Sequence, residues 1–70
     1  MTKIKTIKRR KAWPRWARWY AVNGWEWWKA DVFATRPRML SKCWHSDRWE
    51  DVRGPRLDAD WTKTLRRITP

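Results

Sequence analysis

Nine tryptophans in a chain of 70 residues are what any fold of this sequence must accommodate. The side chains that usually fill a core are scarce: three Leu, three Ile, three Val and one Phe. With a formal net charge of +11, so few of them would ordinarily leave a chain unfolded. Indole rings change that balance, because each can bury roughly 150–250 Å². The expected product is a miniature domain with a tryptophan core. A chain this short buries only about 60% of the surface it exposes when unfolded, so there is room for one domain and no more.

The same counts exclude several classes. Cys43 is the single cysteine, so no internal disulfide forms and a reducing, cytoplasmic setting is expected. The longest stretch without a charge, Trp19 to Trp25, is far short of the ~18–20 residues that span a bilayer. The basic start is followed by no apolar run, which argues against a secretory signal.

Charge is segregated. Residues 1–25 hold Lys3, Lys5, Lys8, Arg9, Arg10, Lys11, Arg15 and Arg18 and no acid, while every Asp and Glu lies from Glu26 onward. Like charges oppose compaction, so a head this basic points to an acidic partner. Residues 1–12 read as a flexible basic arm, with only Ile4 and Ile7 as large apolar side chains, and residues 13–70 as the folded domain.

Within the domain, Asn23-Gly24 is the preferred pair for a two-residue type I′ hairpin turn. Its flanks, Trp16–Val22 and Trp25–Phe33, are rich in aromatic and β-branched residues. That turn would pair Val22 with Trp25, Ala21 with Glu26, Tyr20 with Trp27 and Trp19 with Trp28. Alternation then gathers Trp16, Tyr20, Val22, Trp25, Trp27 and Phe33 on one face. A helix over 14–22, stopped by Asn23-Gly24, is the weaker alternative. Further on, Leu40–Trp44 and Arg48–Val52 read as a strand pair turning at Ser46-Asp47, in preference to a helix. From about residue 58 to 68, Leu57, Trp61, Leu65 and Ile68 recur at helical spacing behind Asp58 and Asp60 as caps. The expected class is α+β: a Trp-rich antiparallel hairpin or short sheet packed by a C-terminal amphipathic helix. Trp25, Trp27, Trp44 and Trp61 are the expected core rings.

Nothing suggests catalysis. His45, Ser46 and Asp47 are consecutive, whereas a catalytic triad is assembled from separated positions. Cys43 and His45 fall short of the four ligands of a structural zinc site. Glu50-Asp51 and Asp58/Asp60 read as surface charges or caps. No enzyme activity, metal or cofactor is expected.

Basic and aromatic residues remain, and they interleave most densely from Lys8 to Trp19. Cationic tracks with aromatic platforms bind nucleic acid, because Lys and Arg neutralise phosphate while bases stack on rings. The expected binding residues are Lys3, Lys5, Lys8, Arg9, Arg10, Lys11, Trp13, Arg15, Trp16, Arg18 and Trp19, with DNA or RNA as partner. The alternative is an acidic surface on a larger, possibly nucleic-acid-processing, protein, since Trp and Arg dominate interface hot spots. In kind, such a chain resembles the small host-takeover proteins of bacteriophages, which act as modulators or inhibitors of host factors. The segment Ala12–Tyr20 is also similar to cationic antimicrobial peptides, but seven acids in the remainder weigh against membrane action.

Overall fold

The computed structural model describes residues 4–24 and 29–70. Two strands carry the centre, and their composition explains why. Strand β2 (Trp19–Val22) and strand β3 (Ala30–Phe33) combine aromatic and β-branched residues, and all but Trp19 are buried. They pair antiparallel and lie inside a five-stranded sheet in which β1 (Thr6–Lys8) and β6 (Trp49–Val52) form the edges. The order across the sheet is β1-β7-β2-β3-β6, with β7 spanning Arg66–Thr69. Strands β4 (Arg38–Met39) and β5 (Trp44–His45) make a separate two-stranded hairpin. The domain is all-β among the described residues, apart from one 3-10 turn at Trp61–Lys63.

The central pair exists as the sequence suggests, but its register does not. Val22 lies opposite Ala30, Tyr20 opposite Val32 and Trp19 opposite Phe33. The partner of Val22 has moved five positions from Trp25. Asn23 does not open a two-residue turn; its N–H donates to the Lys29 carbonyl at 3.1 Å, closing a longer connection. No described glycine has positive φ, so the type I′ geometry is absent. Gly24 is required for another reason: a Cβ there would lie 2.2 Å from the Lys42 carbonyl oxygen and 2.7 Å from the Trp61 ring. An odd shift exchanges the faces of β3. Ala30 and Val32 therefore join Tyr20 and Val22 on the core side, while Asp31 and Phe33 turn to the opposite side with Trp19 and Ala21. Trp25, Glu26, Trp27 and Trp28, the expected partners, lie outside the described residues.

The core forms around Tyr20. Trp13, Ala17, Val22, Ala30, Val32 and Ile68 are buried with it, and Ile7, Trp16 and Val52 pack against the cluster. The Trp13 ring stacks on Tyr20 at 5.0 Å between centroids, and its Nε1 donates to the Arg53 carbonyl at 3.0 Å. The Tyr20 hydroxyl donates to the Pro55 carbonyl, and burial pushes its pKa up to about 12. Trp13 arrives through two tight turns, Trp13 N to Arg10 O and Ala17 N to Pro14 O, both at 3.1 Å. Residues 14–22 thus form a turn and a strand, not the alternative helix.

Three further expectations are corrected. The C-terminal amphipathic helix does not form, and α+β is replaced by all-β. Asp58 and Asp60 do cap, but locally: Asp58 Oδ1 accepts from Asp60 N at 2.9 Å and Asp60 Oδ1 from Thr62 N at 3.0 Å. Such side-chain bonds compete with helix propagation. Thr64, fully buried, accepts from Val22 N at 2.8 Å and donates to Trp61 O at 2.6 Å. Its hydroxyl meets a strand N–H just past the last paired residues, Tyr20 and Arg66. Secondly, Leu40–Trp44 does not pair with Arg48–Val52. Trp44–His45 pairs with Arg38–Met39, and Trp49–Val52 completes the edge beside β3. Thirdly, the basic arm is not separate from the body. Thr6–Lys8 lies parallel to Arg67–Thr69, with Ile7 facing Ile68, so apolar contact and strand pairing dock it. No helix among the described residues is long and apolar enough to cross a membrane.

Two predictions follow from the packing. Trp13→Ala should cost about 3–5 kcal/mol, whereas Trp49→Ala, at a position 52% exposed, should change stability by no more than about 0.5 kcal/mol; urea denaturation compares them. Leu57 has φ 68° and sits at the centre of a γ-turn closed by Asp58 N to Arg56 O at 2.8 Å. A leucine in the left-handed region costs roughly 1–2 kcal/mol, so Leu57→Gly should leave the protein as stable as the parent or more so in the same assay.

Candidate nucleic-acid interface

Register on the non-core face produces a cross-strand row: Thr6 on β1, Arg67 on β7, Trp19 on β2, Phe33 on β3 and Trp49 on β6. At the Trp19–Arg67 end of this row lies a cleft of about 590 Å³. Arg9, Arg15, Arg18 and Arg67 line it with Trp19, Ala34 and the chain end from Ile68. No Asp or Glu among the described residues contributes to it. Four guanidinium groups around one concavity make a strongly positive, focused field.

Local chemistry fixes two of them. Arg9 donates from NH1 to Pro14 O at 2.8 Å and from NH2 to Ala17 O, which clips the end of β1 to the turn that delivers Trp19. Arg18 donates to Arg15 O at 2.8 Å. A guanidinium has five N–H donors, so these bonds orient both groups and leave donors for an anion. Trp19 is half-buried, with the Arg36 guanidinium 5.5 Å from its ring centroid. Arg48 sits 4.3 Å from the Trp16 centroid in the same manner. Both distances lie in the cation–π range.

The residues singled out from sequence therefore separate. Arg9, Arg15, Arg18 and Trp19 converge. Trp16 packs against the core under Arg48. Trp13 is 4% exposed, stacked on Tyr20 with Arg10 5.9 Å from its centroid, so its ring is a core element and not a platform for a base. Lys5 and Lys8 are exposed beside and on edge strand β1, and Lys11 is exposed in the turn; none lines the cleft. Lys3 lies outside the described residues. Arg36, Arg48 and Arg67 were missed. Arg67 falls within the stretch expected as a helix, and no local signal connects any of the three to the basic head.

A second feature lies further along the same face. Asp31 and Asp51 are directly opposite across β3 and β6. Asp31 is 5% exposed. Burial, reinforced by the neighbouring Asp51 carboxyl, pushes its pKa up to about 8, against weaker lowering by Asn23 and Lys29. The pair therefore holds a proton at neutral pH. No sequence signal marks this pair, because Asp31 and Asp51 meet only through the pairing of β3 with β6. No protein-family model, curated protein or solved structure matches the chain, so its geometry carries the functional argument.

The Asp31 shift has a defined consequence for stability. The unfolded carboxyl ionises near 3.8, while the folded one keeps its proton to about 8. The folded state is therefore unpenalised below the lower value and loses stability progressively as pH rises through the window between them. Asp31→Asn removes this dependence. Its advantage over the parent in thermal melts should widen steadily from pH 4 to pH 8 and then level off.

Proposed function

We propose that this protein is a non-enzymatic nucleic-acid-binding module. Phosphates enter the cleft of Arg9, Arg15, Arg18 and Arg67, and Trp19 at its wall meets a base or sugar. The observation that carries this reading is the convergence of four arginines from three separated segments on one aromatic-walled concavity. Charge alone would give a diffuse positive surface. Here two guanidiniums are already oriented by backbone carbonyls, which lowers the entropy lost on gripping a phosphate. The Lys residues of β1 and the turn extend the positive field and accelerate encounter. The half-buried, single Cys43 suits a reducing cytoplasm, where nucleic acid is accessible. An acidic protein surface would use the same arginines and is the competing reading.

Titration of the intrinsic tryptophan emission with short DNA and RNA strands tests the proposal. With about four phosphates neutralised, log affinity should fall against log salt with a slope of roughly −3.6 on duplex or −2.8 on single strands. Arg67→Ala should weaken binding and reduce that slope by about 1, with thermal melting confirming that the variant is folded. Absence of binding at 50 mM salt, together with one stoichiometric protein retained after nuclease digestion, would replace this reading with the acidic-protein one.

A further inference from the structure

The arginine cleft does not account for the buried acid. Asp31 occupies the second strand from the sheet edge in a protein of net charge +11, where an apolar residue would pack without the cost of desolvating a carboxyl. Its Oδ2 accepts from Asn23 Nδ2 at 3.5 Å, while its Oδ1 is sealed from solvent and has no hydrogen-bond partner. Asp31 and Asp51 together line a cavity of about 410 Å³ whose other walls include Trp44, Trp49 and His45. The Trp44 indole N–H is committed to Trp61 O at 3.3 Å, which leaves its ring as an apolar wall. Trp49 lies half open on the edge strand, in the same cross-strand row as Trp19.

The charges around the pair select the occupant. Asp31 keeps a proton, Asp51 lies directly opposite it on β6, and Lys29 acts on Asp31 from the chain entering β3. His45 on β5 and Cys43 before it complete the titratable groups lining the cavity. The local balance is close to neutral but rich in acceptor oxygens. A cation would meet Lys29 and the overall positive charge, whereas a neutral, planar group with paired N–H donors meets acceptors and rings. Among the bases, guanine presents two adjacent donors, N1–H and the N2 amino group, on its pairing edge. Adenine and cytosine place an acceptor beside their amino group, and thymine and uracil flank one N–H with two carbonyls; each would set a lone pair against an oxygen of the exposed Asp51 carboxyl. That edge is available only in a single strand.

We propose that this cavity takes a guanine base of a single-stranded nucleic acid, with both donors on the two carboxyl oxygens of Asp51 and its ring against Trp44 and Trp49. Asp51, at the exposed rim, is the reading group. Asp31, buried directly opposite it, is a positioning residue that acts through Asp51. The inference rests on the nucleic-acid reading above and adds base identity and strandedness to it.

The test uses the full chain and fluorescence titration with oligothymidylates in which the central base is thymine, guanine, hypoxanthine or adenine. The guanine strand should bind roughly tenfold or more tightly than the thymine strand. Hypoxanthine, which lacks the N2 amino group, should fall between them, and adenine should match thymine. Asp51→Asn, at an exposed position, should abolish the guanine preference, so that the guanine and thymine strands bind alike. Asp31→Asn should do the same. Equal binding of all four strands, or a guanine preference that survives Asp51→Asn, overturns the base pocket while leaving the arginine cleft standing. Binding of no strand removes both proposals together.

Discussion

The stacking of Trp13 on Tyr20 is the contact on which the rest of the structure depends. Tyr20 belongs to the strand at the middle of the sheet, and Trp13 to the turn segment that covers it. Their rings fix where β2 sits and bring Arg53 and Pro55 over the core through two side-chain-to-carbonyl bonds. A Cβ on Gly54 would lie 2.4 Å from the Tyr20 hydroxyl oxygen. The segment between β6 and the 3-10 turn therefore closes over Tyr20 only because no side chain stands there. With so few aliphatics, one stacked pair of aromatics replaces what several leucines do in a larger domain.

The arginine cleft follows from the same constraint. Once Trp13 and Tyr20 occupy the core side, strand alternation sends Trp19 to the other face. Cross-strand pairing then sets Arg67 beside it, and Arg9 ties β1 to the turn that leads into β2. The cleft is the by-product of packing one face, which explains why Arg67 joins three arginines from residues 9–18 at the other end of the chain. Trp13, although surrounded by basic residues in sequence, went to the core because its indole N–H found a carbonyl there and its ring found Tyr20.

Two kinds of charge sit on that outer face. Near Trp19 they are guanidiniums, which stay positive at any accessible pH. Near Trp49 they are the paired carboxyls of Asp31 and Asp51, whose proton is held by burial and mutual repulsion. A positive cleft attracts a polyanion without regard to sequence, while a carboxyl at the rim of an aromatic cavity favours a particular donor pattern. On the proposed reading, grip and selection are divided across a single sheet face only a few strands wide.

What the sequence determined by itself was limited: that aromatic rings stand in for scarce aliphatics, as Trp13 and Tyr20 do, and that Trp19–Val22 pairs antiparallel with a strand ending at Phe33; Trp44 and Trp61, expected as core rings, are only half-buried and lie outside the buried cluster. Local motifs misled where a distant partner competed for the same atoms. Asn23-Gly24 suggested a tight turn, but Gly24 was needed for the approach of Trp61 and Lys42. Leu57, Trp61, Leu65 and Ile68 kept helical spacing, but the Thr64 hydroxyl was taken by Val22 and Arg66–Thr69 by the edge of β2. Only the tertiary structure decided register, and with it which side of β3 each residue faces. Register is a property of two segments at once, and a shift by an odd number of residues reverses every side chain while leaving local propensity unchanged.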